Sequence, residues 1–213
     1  MARRGPRWYF SFRSPYSWMA YRDLTSDHAD VADRIEWLPF WEPDEDARIH
    51  LERNDITLPY VAMSKEKHLY ILQDVRRLAR SRGLQMVWPQ DPDPRWEVAH
   101  LAYLAADELG AGREFIAETY RARWELGDDI SDLDTMHRIG KTLGIDPDAL
   151  TGAHENPRIR ERGLAALGSL DRDGVFGVPF FISGFDKFWG VDRLSDFVGT
   201  ARAHFDRQTV KED

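Results

Sequence analysis

The chain opens on a compact alternation of apolar runs and polar turns. Trp8-Tyr9-Phe10-Ser11-Phe12 is a short aromatic-rich run that reads as a strand. A helix is predicted over residues 14–27, with Ser14 as N-cap and Pro15 at the first helical position. Residues 35–40 form a second strand, ended by Pro39 and the acidic turn Glu42-Pro43-Asp44. A strand–helix–strand crossover of this kind makes a parallel pair.

From residue 44 to 168 the apolar spacing is helical throughout. Helices are predicted over 69–79 with Gly83 as the stop, 96–109 before Gly110, 115–126 before Gly127 and 132–143 before Gly144. Residues 146–154 and 157–167 complete the set, and Pro89, Pro92 and Pro94 mark one long loop. Strand signals return after Gly174. Residues 179–183 and 185–189 flank Gly184 as a tight hairpin, and an amphipathic helix follows over 192–205. The layout is an α/β domain built from residues 1–43 and 169–213, interrupted by an all-helical insertion over 44–168.

Composition narrows the chemistry. The chain has 213 residues, 42% hydrophobic and 31% charged, as a soluble globular protein does. Its net charge of -8, without a basic run, argues against a nucleic-acid surface. The short apolar stretch after Met1-Ala2-Arg3-Arg4-Gly5 is broken by Ser11 and Arg13, unlike a signal peptide or a spanning helix. A cytoplasmic protein with no membrane partner is expected. There is no cysteine, so the chain has no dithiol, thiolate metal site or cysteine nucleophile of its own. The histidines, among them His50, His68, His100, His137 and His154, lack ligand spacing, and no metal is expected. Asp128-Asp129 with Ser131-Asp132 lacks the alternating carboxylates of a calcium loop and reads as helix capping.

Two distant segments carry the candidate chemistry. Ser14-Pro15 alone is an ordinary helix cap. A helix N-terminus also has open N–H groups and partial positive charge, which favour a thiolate. A serine hydroxyl there can donate to sulfur without competing as a nucleophile. Ser17, one turn on, either closes the cap or meets a ligand. Far along the chain, Gly174-Val175-Phe176-Gly177-Val178-Pro179 puts a proline at the start of a strand. That proline is either an edge-strand residue or a cis proline that leaves Val178 open for peptide pairing.

These segments resemble the DsbA-like thioredoxin superfamily, in particular its branch of 2-hydroxychromene-2-carboxylate isomerase and kappa-class glutathione transferase. The likeness also takes in Leu69-Tyr70-Ile71-Leu72-Gln73-Asp74, Gly127-Asp128-Asp129-Ile130-Ser131-Asp132 and Phe188-Trp189-Gly190-Val191-Asp192-Arg193-Leu194, in family order. It implies a thioredoxin-like fold with a mixed central sheet and the helical insertion. It implies glutathione as cofactor, or another low-molecular-weight thiol. The prevalence of Arg over Lys fits a GC-rich source, which brings in mycothiol as the alternative.

By this resemblance Ser14 bonds the thiol sulfur, with Pro15, Tyr16 and Ser17 around it. Val178 and Pro179 pair with the cysteinyl backbone, and Asp192 holds the γ-glutamyl end. Asp192 has a plainer reading as the N-cap of the last helix. Asn54 is a looser match to a thiol-contacting asparagine. Tyr16, Trp18, Phe40, Trp41, Phe180 and Trp189 are candidate walls of the substrate pocket. Phe180 stands where the family usually has Thr or Ser, and the acidic stretch after Trp41 replaces a more apolar loop, so a different substrate is implied.

The expected activity is thiol-dependent isomerisation of an electrophilic double bond in an aromatic or polyketide-like small molecule. A kappa-like transferase would use the same site, and a non-catalytic binding protein would keep only the fold. Relatives are often dimers, so a homodimer is an implied arrangement.

Overall fold

The computed structural model describes residues 4–58 and 64–212 of the chain. It divides into two compact units, residues 1–40 with 175–213 and residues 41–174. The expected seams, 43/44 and 168/169, lie a few residues away. The last helix of the second unit runs on to Asp173, and Trp41 is buried with that unit's His100.

The first unit is built on β1 (Arg7–Phe10), α1 (Pro15–Asp27), the short α2 (Ala29–Ala32) and β2 (Glu36–Pro39). All four residues of β1 are buried, because it is an inner strand covered on both faces. The sheet has the order β2-β1-β3-β4, with β3 (Phe180–Ser183) and β4 (Asp186–Trp189) added from the end of the chain. β2 runs parallel to β1, and β3 and β4 pair antiparallel. The sheet is therefore mixed.

Side-chain alternation gives the sheet two faces. On one, Trp8 lies edge-on to Trp37 at 4.7 Å and stacks on Phe181 at 5.9 Å. Phe181 in turn stacks at 4.9 Å on Phe197 of the terminal helix. The other face carries Tyr9, Leu38, Phe180 and Ile182, all buried. The β3–β4 turn is Gly184-Phe185, with Gly184 at φ 66°, a conformation glycine adopts without steric cost.

The second unit begins with α3 (Glu45–Arg53), capped by Asp44, whose carboxylate accepts from the Ala47 N–H at 2.8 Å. α4 (Lys65–Ser81) starts at its Ser64 cap, four residues before the predicted start. α5 (Trp96–Glu108) is apolar around most of its circumference and buried accordingly. It packs against α6 (Gly112–Arg121), α7 (Leu133–Leu143), α8 (Pro147–Thr151) and α9 (Pro157–Asp173). The Asp44 carboxylate also receives Arg160 of α9 at 2.8 Å, tying the two ends of this unit together.

The single helix predicted over 115–126 is two pieces, since α6 gives way to a π-helical turn, Ala122–Leu126. That turn presents Arg123, buried and bidentate to Asp91 at 2.8 Å on both nitrogens. Val87 N–H donates to the Trp124 carbonyl at 2.9 Å, so the proline-marked loop is fastened to the turn.

The first unit closes with a 3₁₀ turn, Val191–Arg193, and α10 (Leu194–Glu212), longer than the predicted 192–205. α10 lies on β3 and β4, and the 3₁₀ turn packs against α1.

Candidate functional site

The register of the sheet determines what meets at its end. β1 leads out at Phe10 toward Ser14, and β3 begins at Phe180, opposite Tyr9. Antiparallel pairing thus brings the turn before α1 and the Val178-Pro179 approach to the same end of the sheet. Trp189 pairs with Phe180, and the Gly190 N–H donates to the Pro179 carbonyl at 3.0 Å. The Val191–Arg193 turn joins them there.

Ser14 is the N-cap of α1, as expected. Its Oγ accepts from the Ser17 N–H at 3.1 Å, and its own N–H donates to the Ser11 carbonyl at 3.1 Å. Accepting through Oγ leaves its hydroxyl proton available, and among the described residues it donates to no partner. Pro15 occupies the first helical position, and no acidic residue lies in the first turn. The partial positive charge of the helix end is therefore not offset by a carboxylate of its own first turn.

Ser17 resolves its two alternatives toward structure. It is fully buried, its N–H closes the cap, and its Oγ lies 3.4 Å from the Ser11 N–H, which donates to it. Tyr16, between these serines, is partly exposed.

The Val178–Pro179 peptide is cis. Val178 is partly exposed, and its N–H and C=O make no hydrogen bond among the described residues. An unpaired peptide beside a strand start can take an extended ligand backbone as an added strand does.

Asp192 lies inside the 3₁₀ turn and is not the cap of α10. Its carboxylate folds back over Gly190, where an added Cβ would come within 2.6 Å of Oδ1. Gly190, at φ 102°, is therefore required both by its backbone and by this close approach. The Asp192 side chain is exposed, and Arg193 approaches no nearer than 3.7 Å.

The candidate walls separate by burial. Trp18 and Phe180 are core residues of the first unit, each 1% exposed. Trp18 faces inward because α1 buries Ser17, Trp18, Met19 and Ala20, while Phe180 sits on an inner strand. Phe40 is partly exposed, with its N–H donating to the Phe10 carbonyl at 2.7 Å. Trp189 is open to solvent. Trp41 and Asn54 belong to the second unit. Trp41 is buried there against His100, and the Asn54 amide donates to the His50 carbonyl at 2.8 Å as its helix ends.

Phe176 lies outside the expected set of site residues. It stands 57% exposed beside Trp189, with the ring centroids 5.1 Å apart. It stands within the Gly174–Gly177 stretch that leads into Val178-Pro179. Asp129 and Asp132 do serve as local caps, accepting from the Ser131 and Asp134 N–H groups. Among the described residues no three His, Asp or Glu side chains are grouped to hold a metal, and no helix is long and apolar enough to cross a membrane.

The chain is similar to known proteins in sequence and fold. A family model described as the DSBA-like thioredoxin domain matches residues 7–201. A curated relative from Sphingobium xenophagum, named 2-hydroxychromene-2-carboxylate isomerase, is 26% identical over 193 residues, covering 89% of this chain and 93% of its own. A solved structure of a 2-hydroxychromene-2-carboxylate isomerase superposes with a TM-score of 0.71 at 21% identity, over 98% of both chains. A cytosolic disulfide reductase, DsbM from Pseudomonas aeruginosa, solved with GSH, shares the fold with a TM-score of 0.61 at 14% identity, over 95% of this chain and 99% of its own.

Proposed function

The chain belongs to the DSBA-like thioredoxin domain family, and from that premise we propose that it is a thiol-dependent isomerase of the kind its relatives' name describes. The observation that carries this reading is the Ser14 cap. Its hydroxyl has a proton to give, at a helix end with no acid in the first turn, in a chain without cysteine. Such a place suits a thiolate brought by a small molecule, with glutathione as the first candidate and mycothiol as the second.

In the proposed complex the Ser14 O–H donates to the sulfur and the helix end lowers the thiol pKa. The open Val178 peptide pairs with the cysteinyl backbone, and Asp192 meets the ammonium of the γ-glutamyl end. The thiolate then adds to an electron-poor carbon–carbon double bond of the substrate. A C–S bond forms, and the π pair moves onto the conjugated carbonyl as an enolate. The former double bond is now single and rotates. When the enolate collapses, the C–S bond breaks, the double bond returns in the other geometry, and the thiolate is regenerated. No net oxidation occurs. The protein contributes a fixed sulfur position and an orientation for the acceptor.

Ser14 can be tested so that its capping and chemical roles separate. Gly at an N-cap costs only a few tenths of a kcal/mol relative to Ser, whereas Ala costs about 1 kcal/mol. Both remove the sulfur's donor, and a hydrogen bond to a charged group is worth roughly 1.5–3 kcal/mol. Ser14→Gly is therefore expected to melt close to wild type yet lose roughly ten- to hundredfold in thiol-dependent turnover, while Ser14→Ala loses both. Thermal shift with glutathione and with mycothiol identifies the thiol. A product heavier by one thiol would overturn the isomerase in favour of a transferase. An unaltered melting temperature with either thiol, and no activity change in Ser14→Gly, would leave a binding protein.

A further inference from the structure

We infer that the cleft between the second half of α4 and the segment after it is a binding site for a small phosphate monoester. Arg76 and Arg80 hold the phosphate, and its organic body lies against Trp88. The cleft has a volume of about 490 Å³, within the range of small-molecule sites, and all its lining residues belong to the second unit. The inference is independent of the thiol reading, which uses none of these residues.

The end of α4 builds the cleft. Gly83, at φ 64°, turns the chain back on the helix. Its N–H donates to the Arg80 carbonyl at 3.1 Å, and the Leu84 N–H donates to the Ala79 carbonyl at 2.9 Å. Residues 84–88 therefore return beside α4, and Leu84, Met86 and Trp88 line one cleft with Arg76 and Arg80. Trp88 is half-buried and edge-on to the buried Trp124, with ring centroids 5.9 Å apart and planes at 82°. A ring held before a ligand arrives reduces the entropy lost on binding.

The charge around the cleft is unbalanced. α4 carries five basic residues against two acidic ones, in a chain of net charge -8. Of the two acids, Glu66 lies in the first turn and Asp74 holds Arg77 at 3.0 Å. Neither Arg76 nor Arg80 has an acid three or four residues away, and among the described residues neither guanidinium has an ion pair. They stand four residues apart, where like charges on a helix repel. Arg80 lies in the last turn and offsets the carbonyl end of the helix, but Arg76 lies outside that turn, so the helix dipole does not account for the pair. A dianion between them would relieve the repulsion and accept from both guanidinium forks. A phosphate monoester is largely dianionic near neutral pH and has three strong acceptor oxygens, whereas one carboxylate would balance only one of the two charges.

Beyond the arginines the lining side chains are apolar apart from Gln85. Leu84, Met86 and the Trp88 ring offer surface rather than charge, so they would contact the organic part of the ligand and not its phosphate. The net charge of -8 repels a polyanion at longer range, which favours a small ligand over a nucleic acid.

The test is calorimetric titration of the full-length protein, at pH 8 and low salt, with phenyl phosphate, phenyl sulfate and inorganic phosphate. Wild type is expected to bind phenyl phosphate more tightly than phenyl sulfate, which has one charge, and than inorganic phosphate, which has no organic body. Arg76 and Arg80 are exposed, so replacing them leaves the core untouched. Arg76→Gln and Arg80→Gln are each expected to weaken phenyl phosphate roughly fivefold, while Arg77→Gln, already paired with Asp74, leaves it within about twofold. Trp88→Leu is expected to weaken phenyl phosphate and to leave inorganic phosphate unmoved. No binding of phenyl phosphate by wild type, equal affinity for phenyl sulfate, or affinities unmoved in Arg76→Gln and Arg80→Gln would each overturn the site. Equal losses in all three arginine variants would also overturn it, since they would show only the diffuse charge of a basic helix. Saturating glutathione is expected to leave phenyl phosphate binding unchanged. Competition between the two would assign phenyl phosphate to the thiol's own site, overturning the cleft and leaving the thiol reading intact.

Discussion

His100 sits fully buried on α5, its Nδ1 2.6 Å from the Trp96 carbonyl and its ring stacked 5.4 Å from Trp41. Burial pushes its pKa down to about 3; the hydrogen bond to Trp96 opposes that push and the Arg123 charge adds to it. Unfolded, the imidazole titrates near 6.5. Between those values the unfolded chain binds the extra proton, so stability rises with pH across the window and is lost as pH falls. The limiting slope is about 1.4 kcal/mol per pH unit. Urea midpoints measured between pH 6.5 and 5 are expected to fall for wild type and to change much less for His100→Gln, whatever that variant's absolute stability. Equal slopes would show that another group sets the dependence. At this scale the sequence was readable where a residue's role is local. Ser14-Pro15 declares a cap because both residues are suited to a helix start. Whether Trp18, Phe180, Phe176 or Trp189 faces core or solvent depends on which strand lies beside it and what covers the sheet, and an aromatic run does not encode that.

At the scale of elements, most helices were legible because caps and glycine stops punctuate them. The π-helical turn was not, since one continuous apolar pattern covers residues 115–126. What distinguishes the turn is tertiary: Arg123 is held on Asp91, and its guanidinium lies 5.0 and 4.9 Å from the ring centroids of Trp96 and Trp124. Removing the acid alone would leave a buried guanidinium uncompensated. Asp91→Ala is expected to cost about 3–5 kcal/mol, whereas Asp91→Ala combined with Arg123→Met costs far less, because the stranded charge is gone. Denaturant melts of the two single variants and the double variant complete the cycle. Additive losses would mean that the pair does not act as a pair. The cap reading of Asp192 fails for a related reason. An acid before an amphipathic helix resembles a cap, but the Gly190 conformation turns the chain first through a 3₁₀ turn.

Across the whole molecule, the two halves of the site were legible because each has its own local motif. The sheet pairing that unites them is not local, and the seams follow packing more closely than pattern. Residues 41–174 are contiguous and contain their own core, including Phe115, Tyr120, Trp124 and Leu167. Expressed alone, this segment is expected to show a cooperative helical melt by circular dichroism. A featureless, non-cooperative transition would show that its core is insufficient.

The position of β1 also has a consequence in time. Trp8 and Phe10 leave the ribosome well before their partner: the strand that pairs with the second edge of β1 is encoded roughly 170 residues later, which at 5–20 residues per second is a delay on the order of ten to thirty seconds. Throughout that interval a nascent chain carries an aromatic strand with one unpaired edge, while the intervening helices emerge complete. Synthesis rate and chaperone occupancy, more than the equilibrium stability of the finished sheet, would then govern how much of this protein reaches its native form.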